Sequence, residues 1–331
     1  MSEFAAGPAG RIERVRALMA ERGYDAIVVR DEANLRWLTG VKGVFDYTFE
    51  FPHAAFITAD QCLFHTDSRY LNSFEENTSA GSPWVYDMDE GTIPGWVAGK
   101  IAANKCRVCA VEDDMQINFY QGIQRGLEDR SVACMLPLMH DDIRKMRAIK
   151  DAEEIELMRH AQSITDAAFQ HMLGYIKPGM TEKQVRNELE NFMFANGADS
   201  LAFGSIVASG PNTANPHAVP SDRVIEKGDF VLMDYGAGYC DYRSDMTRTV
   251  VMGEPTQEQL DLYALVRRAH EECVAAIHPG VEGNDIFKLS KKIIGDAGYG
   301  DYYNHGLGHG VGIDIHELPN FNRSKNIIEV G

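Results

Sequence analysis

Val231-Leu232-Met233-Asp234-Tyr235-Gly236-Ala237-Gly238-Tyr239-Cys240-Asp241-Tyr242-Arg243-Ser244-Asp245-Met246-Thr247-Arg248-Thr249 is the stretch around which the rest of the chain is organised. An apolar run from Phe230 to Met233 enters a Gly-rich bend. A β-branched run ending Thr249-Val250-Val251 leaves it, which is the pattern of a β-hairpin. Antiparallel arms folded at Gly236–Gly238 would set Asp234 and Asp245 on neighbouring strands, side by side if they share a face. Two carboxylates forced together in a mostly apolar setting repel, so either one keeps its proton or a cation lies between them. The cation is the better reading, because carboxylates and imidazoles are the usual ligands of a hydrolytic divalent ion and histidines follow downstream. A solvated hairpin with surface acids is the plainer alternative. The apolar run before Asp234 argues against it.

The downstream histidines lie in His305-Gly306-Leu307-Gly308-His309-Gly310-Val311-Gly312-Ile313-Asp314-Ile315-His316-Glu317. Its alternate glycines do not form G-x-G-x-x-G, so a nucleotide loop is a poor reading. They permit close backbone approach and leave His305 and His309 free to point into a cavity. The surroundings repeat. The stops at Pro178-Gly179 and Pro279-Gly280 are 101 residues apart, His217-Ala218-Val219-Pro220 returns 99 later as His316-Glu317-Leu318-Pro319, and Ile225-Glu226-Lys227-Gly228 returns 103 later as Ile328-Glu329-Val330-Gly331. Each copy opens with two helical patterns. In the first, a helix capped by Asp151 runs to about Tyr175 with Ile155, Met158, Ala161, Ile164, Ala168 and Met172 on one face, and a second runs from Thr181 to Asn196-Gly197. In the second copy the helices cover Glu258 to Ile277 and Gly283 to about Gly295–Gly298. Two copies of one helix–helix–strand unit, facing each other across a pseudo-twofold, would leave a cleft suited to a ligand. The repeat also places the counterpart of Asp234 at about position 337, so part of the site is expected to lie beyond Gly331.

Ahead of this domain, residues 1–140 alternate helix and strand. A helix covers Ile12–Arg22, a buried strand Ala26–Val29, and a helical turn Asn34–Gly40. Two strands, 54–58 and 61–65, meet across Ala59-Asp60, and a helix begins at Thr66–Tyr70 with Thr66 or Asp67 as its cap. That alternation predicts an α/β domain with a mainly parallel or mixed sheet, its boundary near Asp141–Asp151 and the second domain covering 151–331. The 331 residues suffice for two real cores. The net charge of −17 excludes nucleic acid or an anionic membrane as the main partner. No apolar window is long enough for a transmembrane helix, and the N-terminus lacks the pattern of a signal peptide. Only Cys106 and Cys109 form a C-x-x-C, in Lys105–Val111, which reads as a buried strand with the two on opposite faces. All six cysteines are expected to be reduced thiols of a cytoplasmic protein.

These motifs together resemble the pita-bread metallopeptidases: aminopeptidase P, prolidase and, more distantly, methionine aminopeptidase and creatinase. The resemblance is carried by Asn215-Pro216-His217, Met233-Asp234-Tyr235-Gly236, Ser244-Asp245-Met246-Thr247-Arg248-Thr249, His305–Gly312 and Ile315-His316-Glu317. Asn34-Leu35-Arg36-Trp37-Leu38-Thr39-Gly40 and Thr66-Asp67-Ser68-Arg69-Tyr70 extend it to the creatinase-type N-terminal domain. It implies an α/β N-terminal domain followed by an α+β pita-bread domain, the duplicated helix–helix–strand unit. It further implies two divalent ions, manganese first, with cobalt, zinc and iron also suited. Asp234 would chelate one ion, Asp245 would bridge both and His309 would bind the second, while two glutamates that complete the family's set are not in this sequence. His217 and His316 would hold substrate and the tetrahedral intermediate, and His305 would line the substrate pocket. The implied reaction is hydrolysis of the bond before proline in short peptides by a metal-bridged hydroxide. Proline's imide nitrogen carries no N–H, which defeats a peptidase that depends on that donor. A homodimer is implied as well, in which Arg36 and Asp46 could reach a neighbouring subunit's cleft, although Lys42–Pro52 departs from the family pattern.

Two other readings stand beside this one. A creatinase-like or lyase enzyme would act on a small non-peptide substrate, but creatinase-like members lack the carboxylates kept here as Asp234 and Asp245. An inactive binding module of the same fold would show missing glutamates, but would have no need of both aspartates and the motif histidines. His217 could instead be a loop histidine satisfied by backbone, His305 could merely pack beside glycines, and His309 could be a core histidine. Trp37 and Trp84 read as packing residues, and His270 and His278 as helix-surface residues.

Overall fold

The computed structural model describes residues 7–44, 51–88, 91–323 and 325–330. It divides into two compact units, Met1–Glu153 and Glu154–Gly331. Asp46, and Gly331 at the end of the third repeat mark, lie outside the described residues. Among the described residues no helix is long and apolar enough to cross a membrane.

The first unit runs α1 (Gly7–Arg22), β1 (Ala26–Val29), α2 (Glu32–Thr39), β2 (Ala54–Thr58), β3 (Cys62–His65), α3 (Leu71–Asn77), β4 (Trp84–Asp87), α4 (Ile93–Ala103), β5 (Cys109–Val111), α5 (Ile117–Asp129) and α6 (Asp142–Ala148). The sheet order is β4-β3-β2-β1-β5. β1–β2 and β2–β3 are antiparallel, while β1–β5 and β3–β4 are parallel, so the sheet is mixed. β1 and β2 are buried at every position, which is why they read as unbroken apolar runs rather than alternating ones. Trp96, Val97 and Ile101 of α4 and Phe119, Ile123 and Leu127 of α5 share one core with Ala26, Val28 and Phe56.

Three local expectations are corrected. Asn34–Gly40 belongs to a full helix that begins earlier. The Asp31 side chain accepts from Asn34 N at its start, and Gly40, at φ 67°, closes it. Neither Thr66 nor Asp67 caps the next helix: Asp67 accepts from Arg69 N at 2.8 Å and pairs with its guanidinium, and α3 begins only at Leu71. Cys106 lies ahead of β5 rather than in it, so Cys106 and Cys109 enter the same core instead of opposite faces. All six thiols are free.

The second unit is laid out as α7 (Ala152–Tyr175), α8 (Glu182–Ala195), β6 (Ser200–Leu201), β7 (Ile206–Ser209), β8 (Phe230–Tyr235), β9 (Ala237–Tyr239), β10 (Tyr242–Arg243), β11 (Met246–Val251), α9 (Gln257–Ala276), α10 (Gly283–Asp296), β12 (Gly308–Gly310) and β13 (Glu317–Phe321). α8 opens on a capping box between Thr181 and Gln184, which fixes its start at the position read from the sequence. Ala161, Ile164, Ala168 and Met172 of α7 are buried. Ile155 is exposed, and Glu154 is buried in its place because Tyr242 Oη donates to it at 2.9 Å. α7 and α8 pack against the β11-β8-β7 sheet through Val185, Leu189, Val207, Val231, Met233 and Tyr235. The repeat is visible in the backbone: the isolated bridges Thr181↔Val224 and Glu282↔Ile327 occupy matching places in the two copies.

Candidate metal centre

The hairpin forms, but it does not turn at the glycines. β9 continues past Gly236, and Tyr239 pairs with Tyr242, leaving Cys240 and Asp241 as a two-residue turn with φ of 46° and 70°. Both left-handed residues match the right-handed twist of the arms, as in a type I′ turn. The glycines serve close approach instead. A Cβ on Gly236 would lie 1.9 Å from Ser244 O, and one on Gly238 would lie 2.3 Å from Ser200 Oγ. Behind them is a buried hydroxyl knot. Ser244 Oγ and Thr165 Oγ1 are 2.7 Å apart, and Ala237 N donates to both, at 2.9 and 3.0 Å. The backbone carrying Asp245 is thereby pinned to α7.

β8 alternates. Val231, Met233 and Tyr235 enter the core, so Asp234 points from the opposite face and is half-buried rather than enclosed. In the β8–β11 register Asp234 lies opposite Thr247. Asp245, two residues before Thr247, is on the same face as its diagonal neighbour. Thr247 Oγ1 donates to Asp234 Oδ1 at 2.8 Å, fixing that carboxylate's rotamer. Burial pushes the Asp245 carboxyl up, the charge on Asp234 pushes it further, and His309 offsets part of the effect.

From the second copy, His309 in β12 brings Nε2 to 3.6 Å from Asp245 Oδ2. Its Nδ1 is 3.0 Å from Gly310 O. A carbonyl can only accept, so Nδ1 carries the proton and Nε2 presents its lone pair toward the acids. The glycine reading of this stretch is met at two positions: a Cβ on Gly310 would meet Leu318 O at 2.3 Å, and one on Gly312 the Glu317 carboxylate at 2.5 Å. The His316 ring lies 4.2 Å from that of His309, near edge-on. Its pKa is lowered by partial burial and by the charges of His309 and His217, with Asp314 opposing. His217 is exposed on its loop, its N–H donating to Asn215 Oδ1. His305 stands apart. It is exposed, its ring packs edge-on to Tyr303 at 4.9 Å, and its Nδ1 donates to Gly306 O at 2.7 Å.

The donor chemistry fits a divalent cation. Two hard carboxylates of like charge share a face, and an imidazole lone pair is turned toward one of them. His309 joins Asp245 rather than closing on both acids, and among the described residues no group of three or more His, Cys, Asp or Glu side chains meets closely enough to hold a metal by itself. Sequence reasoning missed two supports. Thr247, at strand spacing from Asp245, was legible from periodicity. Arg243 was not: its Nε donates to Ile313 O at 2.7 Å, its Nη1 donates to Ala202 O, and its backbone N donates to Gly312 O. It thus ties the hairpin to the glycine stretch that carries His309.

Known proteins resemble this chain along nearly its whole length. Residues 156–331 match metallopeptidase family M24, and residues 11–149 match the creatinase/prolidase N-terminal domain. An Xaa-Pro dipeptidase of Pyrococcus horikoshii is 42% identical over 93% of this chain and 83% of its own length. The solved Xaa-Pro dipeptidase from Bacillus anthracis superposes with a TM-score of 0.86 at 33% identity, covering 98% of this chain and 87% of that one. An X-Pro aminopeptidase from Thermotoga maritima follows at 0.82 and 29%, covering 96% and 87%. Matched by the family model over more than half its length, and 42% identical to an Xaa-Pro dipeptidase over 93% of it, the chain belongs to metallopeptidase family M24.

Proposed function

We propose that this chain hydrolyses the peptide bond before proline in short peptides. The observation that carries the reading is that Asp234 and Asp245 of one copy share a face while His309 of the other copy reaches Asp245, with His316 against His309. Asp234, Asp245 and His309 would hold divalent ions, manganese first, and such ions supply an acidified water and a Lewis acid for a carbonyl. The chain's own part is orientation. Thr247 holds Asp234 in one rotamer, and Gly310 O holds His309 in one tautomer. Partial burial, with His309 and His217 nearby, lowers the His316 pKa, and one of its ring nitrogens would donate a hydrogen bond to the scissile carbonyl oxygen as negative charge develops there. His217, from the opposite copy, would hold the substrate on the other side. None of these contacts needs an N–H on the scissile nitrogen, which suits an imide bond to proline.

Relatives bearing both names, Xaa-Pro dipeptidase and X-Pro aminopeptidase, support X-Pro cleavage and leave chain-length preference to the shape of the cleft. We assign the protein to the cytoplasm on its six free thiols and to a homodimer on family resemblance. The test is hydrolysis of Ala-Pro and Ala-Pro-Ala by the full gene product with added manganese, Ala-Ala as control, elemental analysis of the bound metal, and light scattering for the oligomer. Manganese-dependent cleavage restricted to the proline peptides is expected. No cleavage and no bound metal would remove the peptidase reading in favour of a binding module.

A further inference from the structure

The loop that presents His217 spans residues 210–220. Only Ala218 within it is buried, while Asn215, Pro216 and His217 are exposed and Val219 is 84% exposed. Apolar burial therefore cannot fix its shape. A single carboxylate can. Glu182, in the first turn of α8, is fully buried. Its Oε1 accepts from Ser209 N at 2.7 Å, Ser209 Oγ at 2.9 Å and Asn212 Nδ2 at 3.0 Å. Its Oε2 accepts from Ser221 N at 3.0 Å, Ser221 Oγ at 2.6 Å and Asn212 Nδ2 at 3.2 Å. Both stems of the loop thus close on one charged group, and charge-assisted bonds to a buried carboxylate are among the strong ones. The backbone repeats the closure, with Glu182 N donating to Arg223 O and Lys183 N to Ser221 O, each at 3.2 Å. Arg223, paired with Asp229, donates to Ser209 Oγ at 2.6 Å and completes the base. Burial by itself would raise the Glu182 carboxyl, but the bonds from Ser221, Asn212 and Ser209 outweigh it and hold it below the ordinary range. Among the described residues the second copy has no such clamp. The 101-residue offset puts Gly283 in this place, where a Cβ would meet Asn320 O at 2.3 Å.

We propose that Glu182 is a positioning residue for the reaction: by clamping Ser209, Asn212 and Ser221 it sets where His217 meets the substrate. This rests on His217 acting on an X-Pro peptide, so the test includes a readout that does not need turnover. In Glu182→Gln an amide N–H₂ replaces an acceptor and faces donors. Hydrogen exchange in residues 210–221 should rise about tenfold or more while exchange in β8 and β11 stays as in wild type, and kcat/KM for Ala-Pro should fall about tenfold or more with bound manganese unchanged. Because Glu182 acts through His217, Glu182→Gln combined with His217→Ala should lose no more activity than His217→Ala alone. Ser221→Ala, which removes one donor and keeps the carboxylate, should give the same pattern at smaller amplitude and stands in if Glu182→Gln does not fold. Unchanged loop exchange, additive losses in the double variant, or metal lost together with activity would overturn the proposal. A wild-type chain without X-Pro activity would sink the peptidase reading instead, and loop exchange would then decide the clamp by itself.

Discussion

Thr247→Val isolates the contact that orients Asp234. Valine keeps the β-branched shape and the strand propensity, and Thr247 is exposed, so the fold should lose little: a net hydrogen bond is worth about 1 kcal/mol. The metal site should lose more. Thr247 Oγ1 donates to Asp234 Oδ1 at 2.8 Å, and without it the carboxylate is free to turn beside the like charge of Asp245. Groups that orient a metal ligand in this way typically contribute 10- to 100-fold in metal affinity or activity, which is about 1.4–2.7 kcal/mol. Calorimetric titration with manganese should show affinity reduced on that scale, and kcat for Ala-Pro at fixed manganese should fall with it. Thr249→Val, two residues along the same strand, is the control, and it should match wild type. The reasoning is refuted if Thr247→Val binds manganese with wild-type affinity, or if its loss is matched by Thr249→Val.

Asp245→Asn should abolish manganese binding and activity yet leave the metal-free protein at least as stable as wild type in thermal melts, because burial and Asp234 both disfavour its charge. Arg243→Met removes the guanidinium bonds to Ala202 O and Ile313 O, and should lower kcat/KM by roughly 10- to 100-fold by letting the His309 segment shift against Asp245. In the first unit, burial and Asp31 push the Glu112 carboxyl from 4.5 up to about 7, although Asn34 Nδ2 and the backbone N–H groups of Arg30 and Asp31 donate to it. Its folded pKa is the higher one, so its stabilising effect is complete below pH 4.5 and is lost as pH rises through 7. Unfolding free energies from urea titrations should therefore fall from pH 5 to pH 7 by about 2 kcal/mol at most, and Glu112→Gln should flatten that slope.

The duplication was legible because its marks, two Pro-Gly stops and two His-x-x-Pro runs, hold nearly one offset whatever the local structure, and the paired bridges at Thr181 and Glu282 are its three-dimensional form. The arms of the hairpin were legible for the same kind of reason, since β-branched residues and alternation survive any choice of turn. The turn itself was not. Glycine at 236 and 238 has two physical uses, positive φ and close approach, and sequence cannot separate them. The real turn at Cys240-Asp241 lacks the glycine that usually marks such a turn. Asp67 was misread as a cap because an aspartate before a helix also finds an arginine two residues on. In the site, residue types announced Asp234, Asp245 and His309. Glu182 stayed hidden because an acid in a helix's first turn ordinarily faces solvent and complements the dipole, and its partners Ser209, Asn212 and Ser221 come from far along the chain.

The most direct measurement is anomalous diffraction, at the manganese edge, from crystals grown with manganese. The account predicts a peak within coordination distance of Asp245, bounded by Asp234 and by Nε2 of His309, which vanishes in Asp245→Asn. Manganese bound elsewhere on the chain, or none bound while Ala-Pro is still cleaved, would contradict it.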